Sequence, residues 1–309
     1  MLGGLLVDKA GGMTSHDVVA RVRRLTATRR VGHAGTLDPF ATGVLLVCIG
    51  RATRLAQFLS GLDKTYVARV RLGFATDTQD VTGKQITPLQ SSKELNEEDV
   101  RRVLKTFEGA QLQTPPMYSA KKVGGVRLYR AARQGLEVER SAARITIHAI
   151  ELLQSGSSTI EHNSDGTADL RVSVRCSSGT YVRTIANDLG AKLGLGAHLV
   201  ELRRTAVGEF RVEDARTLEQ LERLKVEDDI EAALLSPADL VRHLPMLRLD
   251  DNLAAGVLNG RAAPLRTNLT GHVRLCDKEG KLLCVGLVDA ASELIKPRVV
   301  LGEDDEGRG

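Results

Sequence analysis

Several residue types are scarce or missing in this chain of 309 residues. Tryptophan is absent, and aromatic residues make up 3% of the sequence. The longest apolar run, Gly43 to Gly50, is far too short to cross a bilayer. The N-terminal segment has no basic stretch followed by a long apolar one, so we expect no secretory signal peptide. These features favour a soluble globular protein over a membrane or exported one.

The chain also lacks the usual signatures of metal and nucleotide sites. It contains neither a Walker A loop nor a G-x-G-x-x-G segment after a strand, and its His and Cys residues do not have metal-ligand spacing. None of the four cysteines belongs to a CxxC pair. We therefore expect reduced, mostly buried thiols in a cytoplasmic protein. These are Cys48, Cys176, Cys276 and Cys284.

Positive charge is concentrated in two segments although the net charge is only +4. Residues 1–54 hold eight Lys and Arg against three acids, and residues 119–144 hold seven against two. Residues 213–231 reverse this balance, with eight acids against three bases. Clustered positive charge suits a polyanion such as RNA. From charge alone, ordinary solvated helix faces explain the pattern equally well.

Hydrophobic periodicity predicts strands and helices through the first two thirds of the chain. Thr14 to Asp17 has the form of a capping box and opens a helix, whereas Val44–Ile49 indicates a buried strand. Residues 65–74 alternate as a half-buried strand does. The polar stretch 155–167 predicts a loop. Further strands are expected at 5–8, 145–153, 170–176 and 199–207, and further helices at 51–62, 96–107, 181–193 and within 213–231.

The pattern of the sequence changes near residues 240–244. Short segments separated by Gly, Asn and Pro follow, which predicts a small β-barrel of about 65 residues. We therefore expect two domains, 1–243 and 244–309, with the last residues frayed.

The segment Arg30 to Gly43 is rich in Gly and carries Asp38 just before the predicted buried strand. Irregular backbone on a rigid scaffold is where catalytic side chains concentrate. Taken alone, Asp38 followed by Pro39 is more typical of an Asx turn than of a catalytic residue, and His33 is more typical of a structural loop residue.

The surrounding residues distinguish these alternatives because they form a series of ordered motifs. The first two are Lys9-Ala-Gly-Gly-Met-Thr-Ser-His-Asp17 and Gly32-His-Ala-Gly-Thr-Leu-Asp-Pro-Phe-Ala-Thr-Gly43. The others are Lys64-Thr-Tyr66, Pro115-Pro-Met-Tyr-Ser-Ala-Lys-Lys-Val-Gly124 with Tyr129, Ser178-Gly-Thr-Tyr-Val-Arg183, and Gly196-Ala-His-Leu-Val-Glu-Leu-Arg-Arg204.

Together these motifs resemble the pseudouridine synthases of the bacterial tRNA position-55 family, over roughly residues 5–210. Ala10 departs from the family, which usually has Pro there, at a position that shapes a turn. The resemblance implies an α/β (α+β) catalytic domain with a mixed, largely antiparallel sheet flanked by helices. It also implies a thumb-like RNA-binding insert at about 119–144 and a C-terminal PUA-like β-barrel.

The activity implied is isomerisation of uridine to pseudouridine at position 55 in the T-loop of tRNA. The base is flipped out, detached from C1′, turned and rejoined through C5. The resemblance implies no cofactor and no metal. It implies tRNA as the partner, through its T-arm stem-loop, without a membrane or an obligate protein partner. We expect a monomer.

The resemblance also assigns catalytic roles. Asp38 is implied as the nucleophile, a carboxylate that serves as both attacking and leaving group. Whether it attacks C1′ of the ribose or C6 of the base is left open. Arg183 is implied as the ion-pair partner of Asp38. Tyr66 is implied to lie against the base and help move the C5 proton, and Tyr181 to form a second wall of the pocket.

Other residues are implied to bind the RNA. His33 is expected to stack within the RNA loop in the space left by the flipped nucleotide. Leu202 is expected to contact the substrate, with a plain core leucine as the alternative, and Asp80 to contact RNA. The basic residues of the insert are expected to bind phosphates. They are Lys121, Lys122, Arg127, Arg130 and Arg133.

Two other functions remain compatible with these residues. One is a non-catalytic RNA-binding or tRNA-folding protein on the same scaffold, although intact Asp38, Tyr66 and Arg183 argue against it. The other is a carboxylate-dependent hydrolase or glycosylase, which would leave an abasic site.

Overall fold

The computed structural model describes residues 1–118, 122–123, 126–127, 138–154, 156, 158–264, 268–289 and 291–302. Of residues 122, 123, 126 and 127 it describes the backbone only. Across these residues no helix combines the length and the apolar character needed to cross a membrane.

The described strands, in chain order, are β1 (Gly3–Lys9), β2 (Val31–His33), β3 (Thr42–Ile49), β4 (Lys64–Leu72), β5 (Gly109–Gln113), β6 (Lys122–Val123), β7 (Val126–Arg127), β8 (Ala143–Leu153), β9 (Ile160–His162), β10 (Ala168–Cys176), β11 (Ala197–Val207), β12 (Phe210–Arg211), β13 (Met246–Arg248), β14 (Ala263–Pro264), β15 (His272–Cys276), β16 (Leu282–Asp289) and β17 (Leu294–Val300).

The described α-helices are α1 (Ser15–Leu25), α2 (Ala56–Ser60), α3 (Glu97–Lys105), α4 (Val182–Lys192), α5 (Leu218–Val226), α6 (Pro237–Leu240) and α7 (Asp251–Leu258). Short 3₁₀ turns cover Gly50–Leu55, Val212–Asp214 and Ile230–Ala233.

Ten of the described strands form one sheet, ordered β1-β3-β11-β4-β10-β8-β5 with β2, β9 and β12 at its margins. The pairing of β3 with β11 is parallel and the other pairings are antiparallel. The remaining large sheet has five strands, β13-β15-β16-β17-β14, and curls into a half-barrel. The fold-class prediction, a mixed and largely antiparallel sheet with helices followed by a small β unit, is confirmed.

The ten-stranded sheet is covered by helices because its strands expose apolar side chains at every second position. In β4 the residues Tyr66, Ala68, Val70 and Leu72 are buried, as the alternation predicts. They join a core with α3 and α4. Apolar residues of β1 and β3 pack against α1 and α5 in a second core. The predicted capping box at Thr14 is present.

Two local predictions were wrong. The expected loop at 155–167 includes strand β9, which pairs with β10. In the C-terminal part, where only strands were expected, Asp250 caps helix α7. The Gly-rich segment before Asp38 is irregular for most of its length and contains the three-residue strand β2, which pairs with β3.

Candidate active site

The loop that carries Asp38 is fixed by buried polar contacts on both sides of that residue. The Ser15 hydroxyl accepts a hydrogen bond from the Leu37 amide at 2.9 Å and lies 3.2 Å from the Leu37 carbonyl. The Lys9 ammonium donates to the Pro39 carbonyl at 3.2 Å and to two further carbonyls. Burial lowers the pKa of Lys9 to about 8. The end of β1 and the start of α1 therefore hold the loop.

Asp38 forms the predicted ion pair with Arg183 at the first turn of α4. The Arg183 Nε lies 2.9 Å from Oδ2 of Asp38, and Nη2 donates to Oδ1 at 3.1 Å. This two-point contact fixes the plane of the carboxylate. The Arg183 side chain is 4% exposed whereas that of Asp38 is 33% exposed. The carboxylate is thus the part of the pair that faces outward.

Three further groups hold the Arg183 guanidinium from behind. It donates to the carbonyls of Thr78 at 3.1 Å and Tyr118 at 2.8 Å. Its Nη1 also lies 3.5 Å from Oδ2 of Asp80. An arginine held in this way has lost most of its rotational freedom before the substrate arrives.

Asp80 lies in a different setting from the RNA-contacting one that we predicted. The residue is buried, and its Oδ1 accepts hydrogen bonds from the Thr78 hydroxyl and from the amide and hydroxyl of Thr82. Its other oxygen faces Arg183. Because both carboxylate oxygens of Asp80 already have partners inside the protein, the side chain is better placed to orient Arg183 than to bind RNA.

A cavity of about 260 Å³ opens beside Asp38. Its walls include all the other residues predicted to surround the uridine, which lie on β4, at the start of α4 and on β11. Lys64 and Arg204, to which the sequence analysis assigned no role, also line it. The predicted residues are Tyr66, Tyr181, Arg183 and Leu202.

Burial and neighbouring charges shift the pKa values of Asp38 and Tyr66. Burial raises the pKa of Asp38 above its ordinary value, the charge of Arg183 opposes this, and the charge of Asp80 raises it further. Burial likewise raises the pKa of Tyr66, while the charge and hydrogen bond of Arg204 oppose that rise. Asp38 therefore begins to accept a proton at a higher pH than an exposed carboxylate does.

His33 lies apart from the cavity, on β2, with its ring 5.5 Å from that of His16 in an edge-on arrangement. Its Nδ1 is buried without a hydrogen-bond partner within the described residues. Burial, then the charges of His16 and Arg204, lower the pKa of His33. A neutral imidazole ring of this kind is suited to stacking.

The basic residues of the insert are described only in part. Lys122 and Arg127 pair through their backbones in the β6–β7 hairpin. Lys121, Arg130 and Arg133 lie outside the described residues. Elsewhere in the described chain no group of three or more His, Cys, Asp or Glu side chains is arranged to hold a metal ion.

Arg204 is the main site residue that the sequence analysis overlooked. It is buried in β11, two positions after Leu202 and two before Ala206, which are also buried. The period-two alternation of the strand places Leu202 and Arg204 on one face, opposite Ala68 and Tyr66 of β4. That alternation was the available signal, although a charged residue is normally assigned to the outer face.

Comparison with known protein families gives a consistent match along the chain. The model for the N-terminal domain of the TruB family pseudouridylate synthases matches residues 23–182. The model for the C-terminal domain of tRNA pseudouridylate synthase B matches residues 183–242, and a C-terminal model of pseudouridine synthase II TruB matches 245–301.

The chain belongs to the TruB family.

Individual TruB relatives match over nearly their whole length. The tRNA pseudouridine synthase B of Bacillus subtilis (strain 168) is 44% identical over 312 residues, which cover 98% of this chain and 99% of that protein. The protein of the same name from Geobacillus kaustophilus (strain HTA426) is 44% identical over 284 residues, covering 91% and 98%. Among solved structures, a Cbf5-Nop10-Gar1 complex contains a chain with a TM-score of 0.74 and 27% identity, covering 97% of this chain and 84% of that one.

Proposed function

We propose that this TruB family chain is an isomerase that converts uridine to pseudouridine in tRNA, at position 55 of the T-loop. The observation that carries this proposal is the bidentate pair of Asp38 and Arg183 at the cavity that Tyr66, Tyr181 and Leu202 line. A carboxylate that is oriented, partly exposed and beside a cavity can act as a nucleophile.

The reaction moves the uracil base from one bond to another. Asp38 forms a covalent adduct with the substrate, at C1′ or at C6, while the N1–C1′ bond breaks. The base turns, a C5–C1′ bond forms, and the bond between Asp38 and the substrate breaks, which restores the free carboxylate. The proton on C5 then leaves, and N1 gains one. We propose that Tyr66, whose side chain lines the cavity, assists this proton transfer.

Substrate and product have the same composition, so the reaction consumes no oxidant, group donor or energy source. We propose accordingly that it needs no cofactor and no metal ion. The buried thiols Cys48, Cys176, Cys276 and Cys284 are free and support our placement of the protein in the cytoplasm.

The substrate must reach the cavity as a flipped nucleotide because a stacked base cannot enter it. We propose that His33 fills the vacated space in the T-loop. The insert residues Lys121, Lys122, Arg127 and Arg130 would bind phosphates of the T-arm, which positions RNA without reading its sequence. We further propose that the protein acts as a monomer and without an obligate protein partner.

The proposal is tested by incubating the protein with an unmodified tRNA transcript in EDTA, after the RNA has folded. Pseudouridine is then mapped along the transcript, and the RNA is weighed by mass spectrometry. We expect one modified uridine in the T-loop and no change of mass. A loss of the mass of uracil would indicate a glycosylase, and unmodified RNA with tight binding would indicate a non-catalytic RNA-binding protein.

The Asp38→Asn variant tests the nucleophile because it preserves shape but cannot form the adduct. We expect activity to fall by at least ~10⁴-fold while tRNA binding persists. Asp251→Asn is the matched control, since this carboxylate is 83% exposed on α7 and forms only a surface ion pair with Lys278. An Asp38→Asn variant within tenfold of wild type, with reversion to Asp excluded by mass, would refute the assignment.

A further inference from the structure

Arg204 is a buried cation that the reaction as described above does not use. It lies near the end of β11 with 1% of its surface exposed. Burying a guanidinium is costly unless its N–H groups find partners. No carboxylate lies within ion-pair distance of Arg204 in the part of the chain that the structure describes. Its cost of burial is therefore met by neutral acceptors alone.

The acceptors come from the catalytic loop and the strand that follows it. Arg204 Nε donates to the Val44 carbonyl at 2.8 Å, and Nη2 donates to the Gly35 carbonyl at 3.1 Å. Nη1 reaches the Thr36 carbonyl at 3.4 Å. Gly35 and Thr36 precede Asp38 by only three and two residues. The planar guanidinium presents its donors in a rigid fork, so these contacts fix the position of the loop.

The same guanidinium also reaches the wall of the cavity. Arg204 lies directly opposite Tyr66 in the pairing of β11 with β4, and both side chains line the cavity beside Asp38. One buried group therefore joins the backbone that carries the nucleophile to the tyrosine that faces the base. Few other side chains could do this, because a lysine offers no planar fork.

The charge of Arg204 is available for chemistry in a way that the charge of Arg183 is not. Arg183 is paired with Asp38 and lies near Asp80. Within the described residues, the hydrogen bonds of Arg204 go to neutral backbone carbonyls. In a site that excludes water, an uncompensated cation stabilises any negative charge that develops next to it in the transition state.

We propose that Arg204 is a positioning residue that sets the distance between the Asp38 loop and Tyr66, and that its charge stabilises the Tyr66 phenolate, which forms when the phenol gives its proton to N1 of the base and which then takes up the C5 proton. The inference rests on the proposed function, since it concerns a step of that reaction.

The test compares Arg204→Lys and Arg204→Gln with the same changes at Arg203. Arg203 is the neighbouring residue on β11, but its side chain is 43% exposed and pairs with Asp8 at 2.7 Å. Circular dichroism and urea unfolding establish the folded fraction of each variant. The rate of conversion of tRNA by saturating enzyme is measured in a single turnover, and the Kd for tRNA separately.

We expect Arg204→Gln to slow the single-turnover step by about 10²- to 10³-fold, the loss seen when one charge-stabilising donor is removed. Arg204→Lys keeps the charge and should lose about tenfold or less. The Kd for tRNA should change by less than about threefold, because Arg204 is buried away from the phosphates. Both Arg203 variants should stay close to wild type.

A second measurement separates positioning from a merely structural role. The Arg204→Lys change is repeated in a Tyr66→Phe background, where no phenolic oxygen remains for the guanidinium to position. We expect the logarithm of the rate loss caused by Arg204→Lys to be less than about half as large in the Tyr66→Phe background as in the wild-type background. Such a difference indicates that the two residues are coupled. Equal effects in both backgrounds, or a rate that only follows the folded fraction, would overturn the inference.

The outcomes also distinguish this inference from the proposed function. If wild-type protein leaves tRNA unmodified, the proposed function fails. If wild type is active and Arg204→Gln is folded and equally fast, only the inference fails. If Arg204→Gln does not fold, the double-mutant cycle of Arg204→Lys with Tyr66→Phe alone decides whether the inference holds.

Discussion

The carboxyl group of Asp38 lies between a guanidinium that favours its ionised form and a partly buried, partly desolvated setting that disfavours it. Burial has the larger effect, so the pKa of Asp38 is raised above the ordinary value of 3.8. Only the ionised group is a nucleophile. A raised pKa means that protonation begins at a higher pH and removes activity there. We therefore expect the acid limb of the kcat/KM profile to lie above pH 3.8, measured on a T-arm hairpin.

Asp80 offers a direct test of this electrostatic arrangement. Its negative charge raises the pKa of Asp38, so Asp80→Asn should move the acid limb to lower pH. The amide oxygen of Asn can still accept the hydrogen bonds from Thr78 and Thr82. The exposed-site variant Asp251→Asn should leave the limb in place. A limb that stays fixed or moves to higher pH in Asp80→Asn would contradict the arrangement.

Among the individual site residues, the sequence predicted those that belong to recognisable motifs. Asp38, Arg183, Tyr66, Tyr181 and Leu202 do meet at one cavity. The sequence did not predict the inward direction of Asp80, because burial of a charge depends on partners supplied by distant segments. Here the partner is Arg183, which follows Asp80 by more than one hundred residues.

Among the secondary-structure elements, β3 and β11 approach each other closely where they pair in parallel. Gly43 of β3 has φ +105°, and a Cβ at this position would lie 2.2 Å from the Arg204 carbonyl oxygen. We expect Gly43→Ala to lower the free energy of unfolding by roughly 3 kcal/mol, from crowding and backbone strain together. Urea unfolding measures this loss. The shifted β11 should also displace Arg204 and reduce turnover.

Gly12 provides the control for Gly43. It has a similar backbone angle, φ +82°, but nothing lies within 4 Å of an added Cβ. Gly12→Ala should therefore lose only the cost of the left-handed conformation, about 1 kcal/mol. Equal losses at the two positions would show that β3 and β11 can separate without penalty.

Elements with a strong local signal were predicted and those that depend on distant partners were not. The capping box of α1 and the alternation of β4 are encoded in adjacent residues. Strand β2 lies in a Gly-rich segment and obtains its hydrogen bonds from β3. Helix α7 carries Gly256 in its interior. Because Gly lowers the helix propensity of this segment, the sequence did not predict the helix.

In the whole molecule, the two large sheets share one buried apolar cluster. Leu55 and Leu59 of the catalytic part pack in the same cluster as Leu282, Val285 and Val299 of the half-barrel. Polar contacts follow the same boundary, since Arg51 and Arg54 donate to carbonyls of the last described residues. We propose domains at 1–243 and 244–309, because the first sheet ends before this point and the second begins after it.

Truncation after Arg242 tests this division. It removes none of the proposed catalytic residues, so folded preparations should still convert uridine. We expect weaker binding to full-length tRNA and less change toward an isolated T-arm hairpin, as the half-barrel would reach parts of tRNA that the hairpin lacks.

The shared cluster adds a second expected result of the same truncation. Its apolar residues lose their cover, so dye binding should increase and the Tm should fall. Circular dichroism selects the preparations that are compared. A folded truncation that binds tRNA normally but has no turnover would show that the half-barrel helps to build the active site.

The order of strands in the main sheet also has a consequence for synthesis of the chain. Asp38 and the whole of β4 leave the ribosome early, but the two neighbours of β4 are β10 and β11, which follow about one hundred residues later. Until then both edges of β4 present unpaired N–H and C=O groups. Asp38 is synthesised 145 residues before its ion-pair partner Arg183. A chain that is terminated before β11 therefore lacks activity altogether, rather than having weak activity. Its unpaired strand edge makes the fragment prone to aggregation, so that it needs a chaperone or a protease.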